Sequence, residues 1–220
     1  MLELVKAGGW PMIPLLLLSV LAAAIIVERF WTLRRRTVLP PGLGGEVRAW
    51  AVRGKLDPAH IESLRRTSPL GALLAAVLDV RQRTREEIRE RTEDVGRHLV
   101  HRMERFLNTL GTIAAAGPLL GLFGTVVGMI QMFLGILDHG IGDVNQLAGG
   151  IGKALVCTAT GMIVAIPALA FHRYFRGRIA EYIVAMEHEA IQLMDALDPR
   201  GGTIRAAAHA MSAPTHPVAG

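Results

Sequence analysis

Between Phe106 and Tyr174 the chain carries two long apolar segments with a short polar break between them, and no other feature of its 220 residues restricts the fold so tightly. The first reads FLNTLGTIAAAGPLLGLFGTVVGMIQMFLGIL and the second ALVCTATGMIVAIPALAF, and neither contains Asp, Glu, Lys or Arg. Bilayer hydrocarbon about 30 Å thick is crossed by roughly 20 helical residues at ~1.5 Å each. Both segments therefore read as transmembrane helices, and the chain as a membrane protein.

Each segment also concentrates small residues on one face. Ala114, Gly117, Gly121, Gly124 and Gly128 follow one another at spacings of three or four, as do Ala154, Thr158, Gly161, Ala165 and Ala168. Residues so spaced share one side of a helix. Lipid gives helices no hydrophobic reason to associate, so they meet through close backbone approach, which small residues permit. Two such faces predict tight packing against other helices. A lone subunit with few spans is expected to leave them unburied, which predicts partner helices.

A third apolar segment runs from Ala7 to Val27, with Pro11 and Pro14 in its opening turn, where proline costs a helix least. Its length, and an end at Glu28-Arg29-Phe30-Trp31 rather than a small-residue cleavage site, predict a retained span and not a signal peptide. Trp10 and Trp31 mark its two interfaces. Its bulky Leu15 to Leu18, Val20, Leu21, Ile25 and Ile26 suit acyl chains, so this span is expected outermost, against lipid. The lone Cys157 lies within an apolar segment and reads as a packing residue.

Charge sets the orientation. Arg29, Arg34, Arg35 and Arg36 follow the first span, Arg97, Arg102 and Arg105 precede the second, and Arg173, Arg176 and Arg178 follow the third. Asp138 to Leu147 has neither Lys nor Arg. By the positive-inside rule the N-terminus and that turn lie outside, and the long loop and C-terminus inside. Topology accounts for the net charge of +5, so no nucleic-acid partner is read from it.

The resulting plan is all-α and integral to the membrane, with three transmembrane helices and long cytoplasmic helical extensions. Residues 1–31 hold the periplasmic N-terminus and first span, 32–105 a cytoplasmic helical region, and 106–137 the second span. A periplasmic turn over 138–152, the third span over 153–173, a cytoplasmic helix over 174–198 and a disordered tail over 199–220 follow. Within the cytoplasmic region Ser68-Pro69 introduces LGALLAAVLDV, too short to span and expected as a buried helix. Arg81 to Arg105 is highly charged but keeps Ile88, Val95, Leu99, Met103 and Phe106 on one narrow stripe, with Glu87–Arg91 and Glu93–Arg97 one turn apart. That pattern predicts one rod continuing into the second span. Ile179, Ile183, Met186, Ile191 and Met194 give the last helix its apolar face.

The spans contain no Asp or Glu and no deep His; Glu28 and His172 stand at boundaries and Lys153 at the outer end of the third span. Carrying protons through hydrocarbon requires groups that bind and release them. Here only hydroxyls are on offer, chiefly Thr125 and Thr158, which do not titrate near neutral pH. Taken alone, such threonines read as bonding back to their own helix carbonyls. Thr160 lies about 200° round the helix from Thr158 and faces another neighbour. No serine and base meet at membrane depth, which excludes an intramembrane hydrolase and leaves no enzyme reading. No cofactor site is read, and Asp138, His139 and Asp143 are too sparse for a metal site.

The stretch TLGTIAAAGPLLGLFGTVVGMI, followed by GGIGKALVCTATGMIVAIPALAFHRYF, resembles the MotA/TolQ/ExbB proton-channel family and its ExbB branch most; GPLLGLFGTV and VAIPA are its specific motifs. Together with the small-residue faces, that resemblance implies assembly into a ring, a homo-pentamer whose inner wall is the second and third spans, in a bacterial inner membrane, working with an ExbD- or TolR-like partner whose single span carries an Asp. It implies coupling of the proton gradient to a TonB-like transducer for outer-membrane import, with a TolQ-like subunit of the Tol-Pal envelope system, or a passive membrane scaffold, as the alternatives. Four spans and a larger cytoplasmic domain set MotA itself apart. Position by position the resemblance places Thr125 and Thr158 in the pore lining, and Pro118 and Pro167 at family kinks. Lys153 stands where ExbB and TolQ commonly have a glutamate, so that residue's role does not carry over, and Lys153 reads as snorkelling to the interface.

Overall fold

The computed structural model describes residues 9–53, 57–139 and 144–197, the side chains of 138–139 and 144–147 excepted. All regular structure among them is helical: α1 (Met12–Thr32), α2 (Arg35–Val38), α3 (Leu43–Val52), α4 (Pro58–Thr67), α5 (Pro69–Asp79), α6 (Arg85–Met103), α7 (Leu107–His139) and α8 (Val144–Leu197). Three stretches are long and apolar enough to cross a membrane: Met12–Thr32, Leu107–Leu137 and Ala148–Leu197. The chain divides into two compact units, Met1–Thr32 with Glu104–Arg178, and Leu33–Met103 with Ile179–Gly220. The long α8 contributes to both.

In the first unit α1 turns Met12, Leu15, Ala22, Ile25 and Arg29 inward, a spacing of three, four or seven that defines one helical face. Met12 and Leu15 close over Cys157, with Leu120 and Val156 packed against them. At the far end of α1 the Phe30 ring meets Phe171 and Phe175 edge-on, centroids 5.5 and 5.1 Å apart. Leu17, Val20 and Leu21 remain exposed. The expectation of a lipid-suited surface thus needs correcting at Leu15 and Ile25, which pack inside the chain.

The single rod expected through Arg105 is broken. Helix α6 stops at Met103 and α7 starts at Leu107, with Phe106 in the left-handed region at φ 64°. Its ring lies under two guanidinium groups, Arg105 at 4.7 Å and Arg29 at 5.4 Å from the centroid. Arg29 is only 2% exposed and pairs with Glu28 at 2.8 Å.

The second unit is organised around α5. Ser68 caps it, its hydroxyl accepting from the Gly71 amide at 3.0 Å with Pro69 in the first turn, and Leu70, Leu73, Leu74, Val77 and Leu78 are buried. Helices α2, α3, α4 and α6 all pack on it. Asp57 caps α4 in the same way, through the Ala59 amide. Helix α6 opens on a reciprocal box: the Thr84 amide and hydroxyl donate to Glu87, and the Glu87 amide returns to Thr84. Those bonds hold the Glu87 carboxylate below its usual range. Glu87 pairs with Arg83 and Glu93 with Arg89, rather than with Arg91 and Arg97.

On the later part of α8 the buried face is Ile179, Tyr182, Met186, Ala190 and Leu193, whereas Ile191 is exposed. Tyr182 belongs inside because its hydroxyl donates to the Leu33 carbonyl at 2.8 Å. Helices α7 and α8 reach His139 and begin at Val144, so regular structure enters the stretch expected as a turn over 138–152. Residues 199–220, and the side chains of Asp138, His139 and Asp143, lie outside the described residues.

Candidate functional site

The small faces of α7 and α8 meet each other. A Cβ added at Gly117 would sit 3.0 Å from both the Ala165 Cβ and the Gly161 carbonyl oxygen; at Gly121, 3.1 Å from the Thr158 Cα; at Gly128, 3.1 Å from the Ala154 Cβ. At Gly124 it would overlap the Cys157 sulfur, and at Gly161 it would lie 2.6 Å from the Gly117 carbonyl oxygen. The register is antiparallel: as α7 advances from Gly117 to Gly128, its partners on α8 run back from Ala165 to Ala154. These faces are therefore spent inside one chain, and the sequence argument that a lone subunit could not bury them is corrected.

Thr158 stands in this seam. Its hydroxyl donates across it to the Gly121 carbonyl at 3.1 Å, whereas Thr125 turns back to Leu122 at 2.6 Å and Thr160 to Val156 at 2.8 Å on their own helices. Thr125 and Thr160 thus show the own-helix geometry ordinary for membrane threonines, and Thr158 does not.

Helix α1 covers one flank of the α7/α8 pair, the one that presents Leu120 and Val156. Thr125 is five residues from Leu120, about 140° round α7, and Thr158 is two residues from Val156, about 200° round α8. Both threonines consequently lie toward the flank that α1 leaves open. Thr160, near Val156 in angle, lies toward α1. The open flank is otherwise apolar, with Leu122, Val126 and Met129 on α7 and Leu155, Met162 and Leu169 on α8 all exposed.

Pro118 and Pro167 both stand inside continuous helices and are exposed. Each withholds an N–H, freeing the carbonyls of Ala114 and Ile163 for another donor. Lys153 is exposed on α8. From Leu107 to Leu137, and from Ala148 to Phe171, the ionisable side chains are Lys153 and Cys157 alone. The site offers hydroxyls and close backbone but no carboxylate. Cys157 fills the gap at Gly124, and in the sequence it is legible only as another small residue of the seam.

Residues 65–188 match the model of the MotA/TolQ/ExbB proton channel family. The chain is 38% identical over 169 residues to the protein called ExbB-like 1 of Synechocystis sp., covering 76% of this chain and 66% of that one. It is 29% identical over 196 residues to ExbB-like 3 of the same organism, covering 85% and 90%. With the biopolymer transport protein ExbB of Salmonella typhimurium it shares 35% over 115 residues, 52% of this chain and 46% of that one. The chain thus spans just under two thirds of the first of these relatives and less than half of the third.

Proposed function

The chain belongs to the MotA/TolQ/ExbB proton channel family and is a membrane protein, and from that premise we propose that it is the channel-forming subunit of a proton-driven motor in a bacterial inner membrane. It works with an ExbD-like single-span partner to energise TonB-dependent import across the outer membrane. The observation that carries this reading is the open flank with Thr158 bonded across the helix seam and Thr125 one turn beyond its acceptor. A proton pathway built on this chain has no carboxylate at that depth, so the partner helix brings one. Protonation removes a charge from a low-dielectric cavity, and the neutral acid and the carboxylate then prefer different hydroxyl neighbours. Five copies placed with their open flanks inward surround such a helix with threonines. The arginines after α1, before α7 and within 173–178 support a cytoplasmic side for those ends.

The test uses the chain purified with the single-span protein that accompanies it, in vesicles loaded with a pH dye. Thr158→Val, which removes a hydrogen bond of ~1.4 kcal/mol, is expected to slow proton entry about tenfold while both proteins still co-purify. Wild-type flux from the variant would remove Thr158 from the pathway, and absence of flux from the wild-type complex would establish the scaffold reading instead.

A further inference from the structure

We propose that His172 accepts the proton at the cytoplasmic end of the threonine flank and releases it to bulk water, an inference that rests on the channel function just proposed. Helix α8 places His172 fourteen residues beyond Thr158, nearly four turns and about 21 Å along the axis, displaced only about 40° round it. The ring does not point toward α1: Phe171 and Phe175, which meet Phe30, lie about 100° and 60° from His172 in the same sense. It lies instead over Gly111 of α7, with Nε2 3.2 Å, Cδ2 3.4 Å and Cε1 3.5 Å from where a Cβ would stand. Since Gly111 has no side chain, the half-buried imidazole fills the space between the two helices at this level.

A phenylalanine would fill the same gap, but it would not titrate. Imidazole is the side chain whose ordinary pKa falls between pH 5 and 8, and its two nitrogens let a proton enter on one and leave from the other. Between Thr158 and His172, and along α7 from Leu107 to Leu137, no other side chain ionises. A proton leaving the level of Thr158 toward this end therefore meets His172 first. The charged residues at the same end of the three spans are Arg173 and Arg176 on α8, Glu104 and Arg105 ahead of α7, and Glu28 and Arg29 on α1. The step balances without a co-reactant: the neutral ring gains a proton on the flank side and loses one to water, and returns to its starting state.

Proton flux through the reconstituted complex, measured while the pH on the cytoplasmic side is varied from about 5.5 to 8, tests this. With the driving force held constant, wild-type flux is expected to depend on the pH of that side. His172→Gln should lower the flux at the alkaline end at least about tenfold and flatten the profile, with added imidazole restoring part of the rate. Gly111→Ala, which retains the imidazole but crowds it, should give an intermediate profile and covers the case in which the glutamine variant does not assemble. Wild-type rate and profile in His172→Gln, with Thr158→Val still slowed, would overturn the role of His172 and leave the channel function standing. Absence of flux from the wild-type complex would bring down both.

Discussion

Phe106 carries a backbone conformation that an L-residue with a bulky side chain adopts at a cost of about 1–2 kcal/mol. Two cations on its ring, at about 0.5–2 kcal/mol each according to their desolvation, are of the size needed to offset that strain. Backbone and ring can be tested separately. Phe106→Ala keeps the strain and loses the ring contacts, whereas Phe106→Gly loses the contacts but relieves the strain, so the glycine variant should be the more stable by about 1 kcal/mol. Thermal unfolding of the two in detergent measures the difference, and an alanine variant at least as stable would contradict the left-handed assignment. The sequence could not announce this break. Neither Gly nor Pro marks it, and the apolar spacing from Leu99 through Met103 runs unbroken into Phe106. The break carries a contact with Arg29, more than seventy positions away, which periodicity cannot see.

At the scale of elements, the antiparallel seam makes a graded prediction along α8. Gly161→Ala places a methyl 2.6 Å from a backbone oxygen that cannot swing away, which is overpacking worth about 1–3 kcal/mol. Gly152→Ala, in open space on the same helix, should be neutral or slightly stabilising. Melting temperatures in one detergent decide it, and equal values would mean that α7 and α8 do not meet at Gly161. The spans themselves are legible in the sequence, because an uncharged apolar run of twenty or more residues has almost nowhere to bury itself except a bilayer. The buried α5 is legible for a related reason, a short apolar run between Ser68-Pro69 and the polar stretch after Asp79. The inward face of the later α8 is legible only in part. Hydropathy favours Ile191 over Ala190 and Tyr182, but Tyr182 buries its ring where the Leu33 carbonyl receives its hydroxyl. The box at Thr84 and Glu87 has the sequence form T-x-x-E, which the dense charge on either side of it masks.

For the whole molecule, the seam changes what the ring rests on. Small residues on α7 and α8 predict neighbours, and the neighbour they find is the other helix of the same chain, which the sequence alone does not distinguish from a second copy. What remains uncovered is large and apolar: Leu122, Val126 and Phe133 on α7, with Leu155, Ile163 and Ile166 on α8. Lipid can cover such surfaces, and so can copies of the chain. The freed Ala114 and Ile163 carbonyls and the threonine hydroxyls favour protein or water over acyl chains, since a polar backbone group left in hydrocarbon costs several kcal/mol. Helix α1, its inward face already occupied and Leu17 and Val20 outward, is the element suited to lipid. With the only native cysteine buried at Cys157, single cysteines introduced elsewhere report contacts cleanly. Val126→Cys and Ile163→Cys should crosslink between copies in native membranes, and Leu17→Cys should not. Crosslinking confined to Leu17→Cys would place α1 at the centre of the assembly and the threonine flank in lipid, an arrangement with no route for a proton.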